Sequence, residues 1–444
     1  MTIKAVSTLK KWINEHREKL LVRRLFAVLS IDILVKLSGI LLLPVYLRLM
    51  TQEEYGLYGY LLSIILTFSV VLNFGLYIPL SKFYHDLDNV KERGQLLYTI
   101  FCLLAGFLIC LIFPVYFFKW DYFLVKILFK NQINYSNYRG SVLLALIVSI
   151  CNFMLTNYFF TSEKIKHLRQ YNIFRIICIN LFTLTFLYIL AHKDKVRTRL
   201  ESTYLVELVL FLVFMFVYIK EANTKFNRKI AFTGLKLAIP VMLSAVFGIV
   251  INFSDKFFLE KYGSFKELSY YYLAISCASV IPLIFTSFQN AWLPLFLKEK
   301  DLKKNVSKTN KLIFRLLIIF SILSVCILIF VKVILVLGII QSKYQETLYI
   351  LPLLLISQTI SALVPLYTNY LVYFEKTHIV SITGLIMCCI SLSLSLLLIP
   401  RFGVYGAGTV SILSNAFYFL IYYFIIRMYI QKKTILAQPS GIMK

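Results

Sequence analysis

The chain has 444 residues, of which 59% are hydrophobic and only 15% are charged, and its mean hydropathy is +0.78. Soluble domains are about 45–50% apolar and about 25% charged, so a water-soluble protein is excluded and lipid must cover the apolar surface. The formal net charge of +26 comes without a nucleic-acid-binding motif. It fits basic loops on the cytoplasmic side of a membrane, and we expect membrane lipids, and no nucleic acid, as partners.

The cysteines and histidines do not form patterns typical of a metal or cofactor site. The eight cysteines all lie inside apolar stretches, and the five histidines are scattered over loops and span ends. A disulfide framework, a zinc site and histidine-based catalysis are therefore not indicated. The sequence contains no P-loop, GxSxG or HExxH motif, so we expect no cofactor, no ATP-driven step in this chain and no enzyme activity.

The first segment of the chain is basic. Residues 1–24 contain seven Lys and Arg residues, and the apolar run that follows is too long for the core of a signal peptide. We predict that this segment stays in the cytoplasm, either as an amphipathic helix at the membrane surface or as a frayed basic tail.

Twelve apolar stretches follow, each close to the length of about 20 residues that a membrane-spanning helix needs. Their apolar runs are continuous rather than alternating, which excludes an outer-membrane barrel, and backbone groups in lipid must be bonded within their own segment. The predicted spans are 26–47, 56–79, 97–118, 141–160, 171–191, 202–219, 234–254, 271–293, 312–337, 347–371, 377–399 and 404–426.

The distribution of basic residues predicts the orientation. With both termini in the cytoplasm, Lys and Arg are about twice as frequent in the cytoplasmic segments as in the outer ones, as the positive-inside rule expects. One basic run, residues 193–199, would face outward. Either that loop binds anions, or the fifth and sixth spans are drawn wrongly.

A polar stretch at 220–236 falls after six spans and divides the chain into halves. The predicted fold is therefore all-α, with about twelve transmembrane helices in two six-helix lobes at 25–220 and 221–430, followed by a cytoplasmic tail at 431–444. A faint repeat supports this division. Tyr58-Gly59-Tyr60-Leu61 opens the second span and Tyr270-Tyr271-Tyr272-Leu273 opens the eighth, each after a glutamate.

The first span contains an acid and a base four residues apart, Asp32 and Lys36. This spacing places both on one helix face in the favourable order for a pair. Charges inside a bilayer usually face a cavity or a partner. The two residues are therefore candidates for binding a charged head group or relaying protons, and the alternative is a neutralised pair that fixes helix packing.

The seventh span is predicted to close with Asn252, Asp255 and Lys256, either as part of a binding site or as an ordinary helix end at the interface. Arg48 ends the first span and is a candidate for the same site or for an interfacial anchor. We predict Arg175 and Glu207 to lie near span ends, where a functional role is less expected.

Four segments together resemble a known family. They are LPVYLRLMTQEEYGLY (43–58) with NFGL (73–76), NFSDKFFL (252–259), and IPRFGVYGAG (399–408) followed by Ser411. The chain resembles, from about residue 20 to 430, the bacterial polysaccharide (O-antigen type) flippases of the multidrug/oligosaccharidyl-lipid/polysaccharide exporter superfamily. The extra terminal helices of the lipid II flippases have no counterpart here.

The resemblance implies two six-helix lobes that form a V around a cationic central cavity. It implies a flippase of the bacterial inner membrane that moves undecaprenyl-pyrophosphate-linked oligosaccharide repeat units to the periplasmic leaflet by alternating access. Lys36, Arg48 and Lys256 would then face the pyrophosphate or acidic sugars. A glycan polymerase and chain-length machinery are conceivable partners, and proton or sodium coupling is left open.

Other function classes also fit part of the sequence. A multidrug or small-molecule exporter would share the fold, and fold alone does not determine function. A membrane-embedded polymerase or glycosyltransferase usually carries catalytic carboxylates or histidines in a large outer loop, which the sequence does not show. A membrane scaffold is the remaining alternative.

Overall fold

The structure is a computed structural model that describes residues 38–39, 41–87, 89–130, 133–190, 194–299, 301–374, 376 and 378–436. The predicted segment 1–24 and most of the first span, with Asp32 and Lys36, lie outside the described residues, as do residues 437–444.

Helices account for nearly all of the described chain, which confirms the all-α polytopic fold. Residues 41–49 form α1, the end of the first predicted span. The following helices are α2 (Gln52–Leu72), α3 (Tyr77–Asp86), α4 (Val90–Phe118), α5 (Trp120–Leu128), α6 (Tyr135–Thr161), α7 (Ile165–Ile189), α8 (Lys195–Ile219), α9 (Arg228–Tyr262), α10 (Phe265–Ala278), α11 (Val280–Lys298), α12 (Leu302–Val336), α13 (Thr347–Tyr373) and α14 (His378–Leu436). Within the described residues, nine helices are long and apolar enough to cross a membrane.

Helices and spans do not correspond one to one. α2 and α3 share the second span, and the chain between them turns through positive φ at Phe74 and Gly75. α10 and α11 share the eighth span and meet at Ser279. α14 carries both the eleventh and twelfth spans, and it is broken at Gly403, whose φ of 55° and ψ of −129° suit glycine and strain other residues.

The predicted repeat corresponds to the same local structure in both halves. Thr51 caps α2 and Ser264 caps α10, and each side chain accepts a hydrogen bond from the backbone of a glutamate three residues later, Glu54 and Glu267. Both glutamates bond back to the cap residue, which completes a capping box. The similarity between the Tyr58–Leu61 and Tyr270–Leu273 segments therefore reflects two helices, α2 and α10, that begin with the same capping structure.

Several predicted boundaries were wrong because the helices continue past their apolar stretches into polar turns. α7 begins at Ile165 instead of 171, and α8 begins at Lys195 instead of 202. Most of the basic run at 193–199 is thus the first turn of α8, capped by Asp194, and the fifth and sixth spans had been drawn too short. The predicted outer loop at 119–140 also contains a helix, α5.

The surface agrees with immersion in lipid. Along α12 almost every apolar side chain on the outer face is exposed, among them Phe314, Ile318, Ile322 and Ile329. An exposed apolar surface of this extent marks contact with another apolar phase, which for a helix of this length is the bilayer.

Candidate functional site

The helices of the first half enclose a polar cavity of about 560 Å³. Arg175 on α7 and Glu207 on α8 form an ion pair in its wall, and Arg175 Nε lies 2.8 Å from Glu207 Oε1. Asn152 on α6 donates to the other carboxylate oxygen at 3.0 Å. Glu207 is only 3% exposed, so the pair holds a carboxylate that would be costly to bury alone.

This pair lies well inside its two helices, and its predicted position near span ends was wrong. Arg175 is ten residues after the start of α7, about 15 Å along the axis. Glu207 is twelve residues from either end of α8. One feature of the sequence pointed to Glu207: it is an acidic residue inside an apolar span, where acidic residues are few. The separation of 32 positions between the two members of the pair concealed their contact.

The second half encloses a smaller polar cavity of about 120 Å³. It is lined by three of the predicted site residues, Asn252, Asp255 and Lys256. Lys256 Nζ lies 3.0 Å from Asp255 Oδ1 and 2.7 Å from the carbonyl oxygen of Asn252, and the hydroxyl of Tyr271 donates to Asp255 Oδ2. Other hydroxyl and amide groups in the wall belong to Ser254, Gln358, Ser361, Ser391, Ser411, Ser414 and Asn415.

The position of Asp255 and Lys256 at a helix end was also wrong. α9 continues through both residues to Tyr262, and their side chains are only 13% and 14% exposed. Near the end of α9 the buried carboxylate of Glu260 accepts hydrogen bonds of 2.9 and 3.0 Å from the backbone N–H of Lys130 in the first half. These hydrogen bonds compensate the cost of burying the Glu260 carboxylate, so α9 can continue beyond the apolar stretch.

Arg48 lies apart from both cavities, at the end of the molecule where α2, α6, α8 and α10 begin. We call this the outer end, since it is predicted to face away from the cytoplasm. Arg48 donates to the carbonyl oxygens of Gly338 (2.8 Å) and Ile339 (3.1 Å) in the second half. Arg48 is therefore bonded across the two halves, which neither of its predicted roles foresaw.

Two further hydrogen bonds join the same segments. Lys343 Nζ donates to the carbonyl oxygen of Met50 at 3.1 Å, and Gln52 Nε2 donates to the carbonyl oxygen of Lys343 at 2.6 Å. We call the four bonds made by Arg48, Gln52 and Lys343 the outer clasp. Burial lowers the pKa of Lys343, with Glu54 opposing the shift and Lys195 adding to it.

Helices α2 and α10 pack against each other just inside the clasp. A Cβ atom at Gly56 would lie 1.8 Å from the carbonyl oxygen of Phe265, and one at Gly59 would lie 2.5 Å from the ring of Tyr272. The hydroxyl groups of Tyr272 and Ser63 are 2.9 Å apart. The glycines permit an approach that a side chain would prevent, so the outer end is tightly closed.

Toward the opposite end the halves are joined mainly through one helix. Among the described residues, the extended contacts between halves are those of α2 with α9 and α10, and those of α3 and α4 with α9. α11 to α14 pack within the second half. The two halves therefore meet through α2 and α10 at the outer end and through α9 along their length.

Comparison with solved structures shows which class of protein has this fold. An inward-facing multidrug resistance MATE family transporter of the MOP superfamily superposes with a TM-score of 0.71 at 12% identity, covering 92% of this chain and 96% of that one. An inward closed lipid II flippase MurJ gives 0.68 at 14% identity, covering 90% and 87%. An outward-facing MATE family transporter gives 0.56 at 13% identity, covering 93% and 95%. The fold is that of these polytopic transporters.

Residues 21–300 match the sequence model of the family described as polysaccharide biosynthesis protein. The chain belongs to this family, as the resemblance of its motifs indicated. No curated protein matches the sequence significantly.

Proposed function

We propose that this protein is a flippase that moves undecaprenyl-pyrophosphate-linked oligosaccharide repeat units across the membrane by alternating access. One observation carries the proposal. Each half has a polar cavity with an ion pair in its wall, and the outer end above both cavities is closed. Arg175 and Lys256 supply the bases and Glu207 and Asp255 the acids. Family membership supports a lipid-linked glycan as the cargo.

The pairs explain how a cavity in a membrane can bind an anion and release it. An unpaired cation in this environment is unfavourable, so each base has an internal carboxylate while the site is empty. Charge-assisted bonds from guanidinium or ammonium to phosphate are stronger than neutral ones. A diphosphate can therefore replace the carboxylate as the partner of Arg175 or Lys256 once that carboxylate has taken up a proton. The carboxylate releases the proton and pairs with the base again when the cargo leaves.

The conformation supports transport that begins at the cytoplasmic side. The clasp and the contact of Gly56 with Phe265 close the outer end, and the TM-score is higher with the inward-facing transporter than with the outward-facing one. We propose that the described state receives cargo from the cytoplasmic leaflet of the bacterial inner membrane, with both termini in the cytoplasm. A glycan polymerase and chain-length machinery would act on the product.

Deletion of the gene in its own host tests the proposal. We expect a complete lipid-linked repeat unit to accumulate and surface polymer to be lost, as measured by mass spectrometry of undecaprenyl-linked saccharides and by surface glycan analysis. Normal surface glycan without an accumulated intermediate, in a host that lacks a second flippase, would contradict the proposal.

The same host allows a matched pair of arginine variants to be compared. Arg175→Gln/Glu207→Gln removes the cation from the cavity without leaving Glu207 as an unpaired buried carboxylate, and we expect it not to restore surface glycan although it reaches the membrane in normal amount. Arg197→Gln is the control, since Arg197 forms an exposed pair with Glu201 on the surface of α8, and exposed pairs contribute little. Equal restoration by both variants would remove Arg175 from the mechanism.

A multidrug or small-molecule exporter is the second candidate, favoured by the superposition on a multidrug transporter. It predicts drug resistance that depends on a cation gradient and is lost on deletion. Such resistance, together with unchanged lipid-linked saccharides, would replace the flippase as the proposed function.

A further inference from the structure

A second arginine in the first half has a different environment from Arg175. Arg199 is the fifth residue of α8, near the outer end, and it is 9% exposed. Its guanidinium carbon lies 3.9 Å from the ring centroid of Tyr58 and 4.0 Å from that of Tyr46, with the ring of Tyr55 at 6.0 Å. Arg199 is thus enclosed by the aromatic side chains of α1 and α2.

Among the described residues, no carboxylate forms an ion pair with this cation. Its hydrogen bond is from Nη1 to the thioether sulfur of Met50 at 3.4 Å, and a thioether is a weak acceptor. In the part of the chain that the structure describes, Arg139, Arg175 and Arg197 each form an ion pair with a carboxylate, and Arg199 does not. Aromatic rings stabilise a buried cation only in part, so its burial is costly in this state.

Along α8, Arg199 also lies between the cavity residue Glu207 and the outer end. Tyr58, which stacks on its guanidinium, is part of the wall of the first cavity. Arg199 precedes Glu207 by eight residues on α8, which places it about 12 Å nearer the outer end. Two cations, Arg175 and Arg199, therefore follow each other along the first half, and one aromatic ring separates the second from the cavity.

The residues that enclose Arg199 belong to the segment held by the outer clasp. The carbonyl oxygen of Met50 accepts the bond from Lys343, and the ring of Tyr55 packs edge-to-face on Tyr344 at 6.3 Å. Separation of the two halves at the outer end must break both contacts. The enclosure of Arg199 is therefore coupled to the closed state of the clasp.

From this arrangement we infer that Arg199 is a second phosphate-binding site, which is closed in the described state and becomes accessible when the outer clasp opens. It would accept the diphosphate of the cargo from Arg175 before release into the outer leaflet, and this part rests on the proposed function. The phosphate of an anionic lipid head group has the same chemistry, and the experiment distinguishes the two sources.

Chemical modification of arginine tests the site without altering it. The full-length protein in phosphatidylcholine nanodiscs is treated with phenylglyoxal, and the modified peptides are quantified by mass spectrometry. We expect slow modification of Arg199 in the unaltered chain and at least tenfold faster modification in the Arg48→Ala/Lys343→Ala variant. Inorganic pyrophosphate should then slow it at least fivefold. Arg197, two residues earlier and exposed, is the internal control, and its modification should be independent of both changes.

Each outcome decides the inference. Equal modification of Arg199 with and without the clasp, or no protection by pyrophosphate, would overturn it. Protection by phosphatidylglycerol nanodiscs alone, with no further effect of pyrophosphate, would assign the site to lipid head groups and overturn the role for cargo. Gly56→Ala is a second way to open the outer end if the double variant does not fold. The result does not depend on the deletion experiment, so failure of the flippase proposal would be recognised separately.

Discussion

At the scale of single residues, Tyr271 shows how a carboxylate is kept within α9. The tyrosine is completely buried, and its hydroxyl donates to Asp255 Oδ2, while Lys256 bonds the other oxygen. Both oxygens of the carboxylate therefore have a charged or polar partner, as a buried ion requires. Removal of one partner leaves part of the desolvation cost uncompensated.

We expect Tyr271→Phe to lower the free energy of unfolding by about 1.5–3 kcal/mol, the usual range for a hydrogen bond to a charged group. Thermal unfolding in detergent measures the difference. Tyr188→Phe is the control, because Tyr188 is 77% exposed on α7 and its hydroxyl should be solvated in either state. An equal melting temperature for the two variants would show that Tyr271 does not support Asp255.

At the scale of single helices, the break at Gly403 fixes the angle between two spans. The φ of 55° combined with ψ of −129° is strained for any residue with a Cβ atom, at a cost of about 1–3 kcal/mol. We expect Gly403→Ala to lower the melting temperature. Gly384→Ala in the same helix has open space around its Cβ position and should be neutral or slightly stabilising. A neutral effect at both positions would mean that α14 rearranges without strain.

The packing of α2 on α10 leads to a different expectation. Alanine at Gly56 cannot be accommodated against the carbonyl oxygen of Phe265, so the two helices must separate and the outer end must open. A cysteine in place of Ser63, which lies between these helices, should react faster with an impermeant maleimide when Gly56→Ala is present.

Gly106→Ala on α4, where no atom lies within 4 Å of the new Cβ, is the matched control for that labelling. It should leave the rate at Ser63→Cys unchanged. Unaltered labelling in the Gly56→Ala background would show that the contact yields locally without opening the outer end.

Hydropathy located the spans well and the ends of the helices poorly, for a physical reason. Lipid requires an apolar stretch, and most of the predicted stretches that the structure describes lie within one helix, although the second and eighth each contain two. Arg175 and Asp255 were placed near helix ends because the continuing turns are polar and gave no hydropathy signal. α5 is only nine residues long and was read as a loop.

Contacts between distant segments could not be predicted from one sequence. Arg48 bonds to carbonyl groups 290 and 291 residues away, and no spacing rule reaches that far. The pair of Asp255 with Lys256 was within reach of the sequence because the two are adjacent. The structure adds that they lie inside α9 and line a cavity, and that the hydroxyl of Tyr271 donates to Asp255. Asp32 and Lys36 stay a prediction, as does the division of the chain at residue 220.

At the scale of the whole molecule, the proposed alternating access requires the outer clasp to open in every cycle. Gln52 and Lys343 are joined across the halves, so cysteines at these two positions can be linked by a short bis-maleimide. We expect the cross-linked Gln52→Cys/Lys343→Cys variant to lose transport, measured as restoration of surface glycan in a deletion host.

Each single-cysteine variant treated with the same reagent controls for modification of the native cysteines, and it should retain transport. The untreated double variant should also transport, since the loss must come from the link and not from the substitutions. Transport that persists in the cross-linked protein would mean that the halves need not separate at this end.

The two ion pairs have a consequence for the electrical work of the cycle. Arg175 with Glu207 and Lys256 with Asp255 leave the wall of each cavity without net charge when it is empty. The return of the empty protein thus moves almost no net charge through these cavities. Outward movement of an anionic cargo is favoured by an inside-negative potential, by about 2.3 kcal/mol per elementary charge for each 100 mV. In the proposed transport cycle, the membrane voltage would therefore favour the loaded step without opposing the empty one.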